Sequence, residues 1–341
     1  MSASMTLKPR TDDRVICDLA ESATGCFAVA VAHDVGVFRL LAAGPRTATE
    51  LCAALGIGLR ELEALLILCV SARLVRVENG LYTLMPVAEE YLVESSPVYA
   101  GWLFDLWSDD ETPFSFRRLH AAVMRKEPWP HGTRPWVDRH RQDAGRAASF
   151  TRIMHGHSMA PALAWPEKLD LANCRRLLDV GGGSGAHSIG ALMHWPRLEA
   201  IVLDLPSVCI AARDYIERYG MTRRITTCAA DMWTDAWPEA DIHFYSDIFH
   251  DWTPEECRAL ARKSHARLPA GGRIIVHEML YDDDKRGPFT VAASSLAMLT
   301  WCGGQQFSGL ELSSLLRECG FEEIEVVPTF GYWSVVTGRK R

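Results

Sequence analysis

Apolar residues recur at helical spacing from the start of the chain. Val15, Ile16, Leu19, Ala20, Phe27, Ala30, Val31, Val35, Phe38 and Leu41 predict two helices between Arg14 and Leu41, separated near Gly25. Thr47 with Glu50 three residues on reads as a capping box opening a short helix to Leu55, and Gly58-Leu59-Arg60 opens a longer one to Ser71. The period then drops to two: residues 74–78 and 81–84 flank Asn79-Gly80, a strong hairpin signal, which completes a winged-helix arrangement. Beyond residue 150 short apolar runs at 177–180, 200–203, 225–228, 240–245 and 273–276 alternate with helical stretches. That alternation predicts an α/β domain with a largely parallel sheet. Residues 324–327 and 333–337 read as a terminal antiparallel hairpin. The expected division is a helical domain at 1–150 and an α/β domain at 151–341.

The chemistry gathers where the strands end. Leu177-Leu178-Asp179-Val180 breaks into Gly181-Gly182-Gly183-Ser184-Gly185 and then a helix, so the backbone can take positive φ and approach a ligand beside a helix N-terminus. Alone, this loop fits a tight turn as well as a nucleotide-like cofactor. The second strand ends at Asp204-Leu205, where a carboxylate would meet ribose hydroxyls, a feature shared with dinucleotide-binding dehydrogenases. The third leads to Asp231-Met232, the fourth to Ser246-Asp247-Ile248-Phe249-His250-Asp251-Trp252, and the fifth to His277-Glu278. Ligands of open α/β sheets bind outside the carboxyl ends of the strands, so Asp179, Asp204, Asp231, His250, His277 and Glu278 are expected around one crevice.

With LLDVGGGSG, Asp204-Leu205-Pro206, Ala230-Asp231-Met232 and His250-Asp251-Trp252 in place, the chain resembles the class I S-adenosylmethionine (SAM)-dependent methyltransferases. The likeness is to the caffeate-type O-methyltransferases and their bacterial relatives, and it covers the whole chain. It implies a Rossmann-like domain behind an N-terminal winged-helix dimerisation and substrate-lid domain, hence a homodimer through residues 14–45. It implies cofactor contacts from Asp179, Gly181, Gly183, Asp204, Leu205, Asp231, Met232 and Ser246. It also makes His250 the base, oriented by Glu278, and brings Met154, His157 and Ser158 of the Phe150–Ser158 segment toward cofactor and substrate. Aromatic residues of 99–116, Trp102, Phe104, Trp107, Phe114 and Phe116, are candidates for lining the substrate cavity, with inter-helix core as the alternative.

Composition narrows the partners. The net charge of −7 at pH 7 gives no electrostatic footprint for nucleic acid or an anionic membrane. The possible recognition helix, 60–73, is mostly Leu, Ala, Ile, Cys and Val, with basic residues only at its ends, which suits packing better than groove reading. A winged-helix regulator with a vestigial cofactor fold is the non-enzymatic alternative. The ten cysteines include no CxxC pair and read as reduced residues of a cytoplasmic protein. The opening residues lack a signal-peptide core.

Three departures from the resembled pattern shift the expected acceptor. The segment that resembles GGxE ends in Gln306, which cannot supply a second anionic partner for the imidazole; Ser246 stands where a lysine is common; and His277 precedes Glu278. His250, His277, Glu278 and Asp251 then become a candidate set for zinc or iron, with no metal-motif spacing among them. Such a metal would chelate an α-keto acid and leave its β-carbon as the nucleophile. The stretches VHEMLYDDDK and TFGYWSVVTGRK are similar to the α-keto acid C-methyltransferase branch of the family. Should Asp105, Asp109, Asp110 and Glu111 face the cavity, a guanidinium-bearing, arginine-derived acid is favoured. O-methylation of a phenol, with His250 as base and Gln306 against the substrate, is the alternative.

Overall fold

The computed structural model describes residues 12–105, 116–124, 144–300 and 302–341, without the side chains of 102, 105 and 144. The chain divides into two compact units, Met1–Asp110 and Glu111–Arg341.

In the first unit α1 spans Arg14–Asp34 and α2 spans Val37–Ala42. The helix break expected at Gly25 falls instead at Gly36, which takes φ +94°. A lone helical glycine costs about 1 kcal/mol relative to alanine, which neighbouring turns absorb, whereas a left-handed residue ends the helix outright. Next come β1 (Arg46–Thr47), α3 (Ala48–Leu55) and α4 (Leu59–Ser71), with the Thr47/Glu50 capping box formed in full. The hairpin of β2 (Val75–Glu78) and β3 (Leu81–Leu84) turns through Asn79 and Gly80, both at positive φ. Residues 46–47 add a third strand on β3 that the sequence pattern had hidden, because Thr47 serves both strand and cap. After α5 (Pro86–Tyr91) and α6 (Trp102–Asp105), Phe104 packs against the core of this unit and His33, with ring centroids 5.4 Å apart. On one face of α1, Val15 and Ile16 are each 68% exposed, and Leu19, Phe27 and Val31 about half exposed.

The second unit opens with α7 (Phe116–Val123), whose Phe116 is exposed, and α8 (Ala144–Ala164). Its sheet strands are β4 (Arg176–Val180), β5 (Glu199–Asp204), β6 (Ile225–Ala229), β7 (Ile242–Ser246), β8 (Arg273–Met279), β9 (Glu322–Phe330) and β10 (Trp333–Arg339). Their order is β6-β5-β4-β7-β8-β10-β9, parallel except that β10 runs antiparallel to β8 and β9. Alternate strand residues feed two cores. Leu178, Val180, Tyr245, Ile274 and Val276 pack toward α11 (Pro254–Arg267) and α13 (Gly309–Glu318). Leu177, Val202, Phe244 and Ile275 pack toward α9 (Ala186–His194) and α10 (Pro206–Arg218). A further helix, α12 (Phe289–Met298), precedes the 303–306 segment. The sequence division near 150 lies inside α8, which packs on α9 and α10 and so belongs with the second unit.

Candidate active site

The glycine loop is built for close approach. Gly181, Gly183 and Gly185 take φ of +70°, +55° and +78°. A Cβ on Gly181 would meet Ile248 Cδ1 at 2.4 Å, and one on Gly182 would meet the Asp179 carboxyl at 2.6 Å. Gly185 caps α9, so that helix turns its first unpaired N–H groups toward the loop. Asp179 is buried and accepts from Ser188 Oγ at 2.7 Å; burial raises its carboxyl to about 7 against that bond. Asp204 Oδ2 accepts from Gly183 N–H at 2.9 Å and Oδ1 from Leu205 N–H at 2.7 Å, while burial raises it to about 6.

Beside it, Asp231 Oδ1 accepts from Trp233 N–H at 2.8 Å. The Lys263 ammonium donates to the carbonyls of Met232, Trp233 and Asp235 at 2.7, 3.1 and 2.9 Å. Lys263 thus clamps the Asp231-Met232 loop from α11, a contact with no sequence signal because the lysine lies 31 residues beyond Met232.

The third wall is the short helical turn Phe249–Asp251 after β7. Glu278 is 1% exposed and fully committed: Oε1 accepts from the Ile248, Phe249 and His250 N–H groups at 3.1, 2.9 and 3.4 Å, and Oε2 lies 2.6 Å from His250 Nδ1. This fixes a proton on Nδ1, so the second proton of the ring is the one on Nε2, 3.6 Å from Asp251 Oδ1. Burial alone would lower the imidazole, but Glu278 first, then Asp251 and Asp247, overcome it and hold His250 at about 10. Asp251 itself is raised by burial to about 7.

Among the described residues the His277 ring meets neither His250 nor Glu278, beside which it was expected as a catalytic and ligating residue, although it lies near Asp247. Neighbouring residues of a strand face opposite sides of the sheet. His277 is fully buried among Trp333, with ring centroids 4.9 Å apart, and His187, at 5.1 Å. Its Nδ1 pairs with Ser246 Oγ at 2.9 Å and its Nε2 with Thr329 Oγ1 at 3.3 Å. Ser246, expected at the cofactor, therefore turns its hydroxyl to His277.

A residue given no role from the sequence lies beside the base instead. Asp247, at φ +56°, puts Oδ1 3.6 Å from His250 Nδ1 and Oδ2 3.3 Å from His157 Nε2. His157 of α8 is thereby brought to the base turn, with Met154 half-buried one turn earlier on the same helix. Gly304 has no room for a side chain, since its Cβ would lie 1.8 Å from the His250 carbonyl, so the 303–306 segment presses on the same turn. Gln306 is 1% exposed, and neither amide atom has a hydrogen-bond partner. The side chain of Trp102, with Trp107, Phe114 and the acids at 105 and 109–111, lies outside the described residues.

The O-methyltransferase domain profile matches residues 116–322, and the O-methyltransferase dimerisation domain profile matches 17–94. The chain belongs to this family of SAM-dependent methyltransferases. It is 35% identical over 317 residues to the 3-hydroxy-5-methyl-1-naphthoate 3-O-methyltransferase of Streptomyces sahachiroi, covering 92% of this chain and 90% of the relative. It is 28% identical to the L-tyrosine C(3)-methyltransferase of Streptomyces lavendulae, covering 85% and 81%. The structure of PigF with SAH superposes with a TM-score of 0.79 at 25% identity, covering 98% of this chain and all of the other. The human N-acetylserotonin methyltransferase complex with SAM shares the fold, with a TM-score of 0.82 at 24% identity over 98% and 99%. The chain is thus a class I enzyme that transfers methyl from SAM to a small molecule in biosynthesis. Its relatives span oxygen and carbon acceptors. α1 is long and apolar enough to cross a membrane by length and composition alone, but most of it lies inside the matched dimerisation domain.

Proposed function

We propose that His250 is the general base of this methyltransferase, and that it acts on an enolisable α-keto acid whose β-carbon receives the methyl group. The base assignment is supported by the Glu278–His250 hydrogen bond at 2.6 Å, which commits Nδ1–H, so that once the ring is deprotonated Nε2 is the nitrogen that accepts a proton. SAM, held by the glycine loop and Asp204 with Asp231-Met232 at the adenine, supplies an electrophilic methyl carbon when bound. Nε2 removes the β-proton, the C–H electron pair passes into the enolate, and carbon is left as the nucleophile. The resulting imidazolium is stabilised by Glu278, Asp247 and Asp251.

The observation that carries the acceptor class is Gln306. An amide buried with both atoms unpaired costs about 1–3 kcal/mol per unsatisfied group, which a bound ligand or water recovers. It offers an N–H donor to an acceptor's carboxylate or enolate oxygen. The tyrosine C(3)-methyltransferase supports carbon as an acceptor in this family.

A divalent metal does not fit. Asp247, His250 and Glu278 place one ligand atom each within 4.8 Å of one another. Yet the His250 nitrogen nearest them is hydrogen-bonded to Glu278, whose other oxygen serves the backbone, and His277 faces the opposite side of the sheet. Enolisation is therefore assigned to the imidazole alone.

O-methylation of a phenol by the same base is the second reading, favoured by the naphthoate O-methyltransferase relative. The test is a panel of guanidino, aliphatic and aromatic α-keto acids and of phenols, each incubated with carbon-13 methyl-labelled SAM. A new C–CH3 signal on a keto acid, undiminished by chelator, is the expected result. A methoxy signal from phenols alone would return the acceptor to oxygen.

A further inference from the structure

Asp247 follows β7 in a conformation that L-residues other than asparagine, aspartate and histidine seldom adopt, at φ +56°. The turn throws its side chain away from solvent, leaving it 8% exposed. There the carboxylate meets two imidazoles from different elements, His157 of α8 at 3.3 Å and His250 of the base turn at 3.6 Å. The tautomer of His250 does not need it, because Glu278 already accepts from Nδ1–H at 2.6 Å.

We propose that Asp247 is a positioning residue that couples His157 on α8 to the base His250, holding the turn and the helix together and setting the charge His250 carries. The inference rests on His250 being the base. The groups facing Asp247 are His157 from α8, His187 from α9, His277 and Glu278 from β8, and His250 and Asp251 from its own turn. His187 and His277 are held neutral by burial, at about 3 for His187 and well below the ordinary range for His277. Glu278 is committed to the turn, and Asp251 reaches His250 through Nε2 on the other side of the ring. Asp247 therefore touches both His157 and His250 and links a change in one to the other. Burial opposes its charge, but His157 first and then His250 hold it down at about 2.

The test is histidine-selective NMR titration of the SAH-bound protein, with the His250 signal assigned by His250→Asn. An opposite charge within about 4–6 Å moves a pKa by roughly 1–3 units, so Asp247→Asn should lower the His250 midpoint by about one unit or more. Asp247→Glu, which keeps the charge, should restore most of it. His157→Gln, which removes the imidazole beside Asp247, should move the midpoint, and should do nothing when Asp247 is already asparagine. A merely structural contact would cost thermal stability without moving the midpoint. An unmoved His250 midpoint in Asp247→Asn, or an unchanged His157→Gln effect in the double variant, overturns the coupling. Retention of turnover in His250→Asn would instead overturn the base assignment, and the two failures are read separately.

Discussion

Replacing Glu278 by glutamine tests the base most sharply, because the carboxylate has two incompatible duties that one amide cannot share. Oε1 gathers three backbone N–H groups of residues 248–250, and Oε2 accepts from His250 Nδ1. If the glutamine oxygen keeps the backbone, its NH2 faces Nδ1. The imidazole must then present a lone pair there and carry its proton on Nε2, the atom that has to accept one. If the oxygen turns to Nδ1, the NH2 group confronts three donors, losing bonds worth about 1 kcal/mol each. The first arrangement is cheaper, so Glu278→Gln should fold with a stability loss of about 1–3 kcal/mol while holding the wrong tautomer. Loss of an oriented base lowers kcat by about 10²–10⁴-fold. Loss of the nearest carboxylate also moves the acidic limb of the rate profile. His250 must be deprotonated to act, so activity rises with pH toward its value of about 10. Without the charge, that limb falls by roughly 1–3 units. The assay is SAH formation against pH with the acceptor identified by the panel, beside calorimetric SAM binding, which should stay within a few-fold. A kcat within threefold of the parent, or a defect confined to SAM affinity, would refute the reasoning.

Three other outcomes follow from the same geometry. Asp204 accepts hydroxyl hydrogen bonds more strongly as a carboxylate than as an acid, so SAM affinity should weaken as pH falls through about 6, and this pH dependence should vanish in Asp204→Asn, whose calorimetric affinity is low throughout. Gly304→Ala would place a Cβ 1.8 Å from the His250 carbonyl, and displacement of the base turn should cost over tenfold in kcat with SAM binding retained, read by the same two assays. The exposed apolar residues of α1 should pair two chains: light scattering should give a dimer mass at micromolar concentration, and Ile16→Glu with Leu19→Glu should give a monomer.

Most of the fold was legible because its signals are local. The Thr47/Glu50 box, the Asn79-Gly80 turn and the strand ends at Asp179, Asp204 and Glu278 each sit where spacing places them. The errors arose where geometry acts between elements. His277 was assigned to the crevice by proximity in sequence to Glu278, although a period of two puts them on opposite faces. Asp247 went unread because its reach depends on a left-handed residue that no pattern marks. Lys263 was silent because helical periodicity says nothing of which distant carbonyls an ammonium will cap. Gln306 was read both as an anion missing beside the base and as a contact for the substrate, but that its amide is buried with both atoms unpaired depends on packing that no sequence pattern shows.

The most direct test of the central claim separates proton removal from methyl transfer. The protein is saturated with SAH, so no methyl can move, and given the guanidino, aliphatic and aromatic α-keto acids in D2O, with deuterium at the β-carbon followed by NMR. Wash-in above the buffer rate is expected for at least one acid, unchanged by chelator and abolished in His250→Asn. Exchange that persists in His250→Asn, or that requires a metal, or its absence for every keto acid, would contradict it.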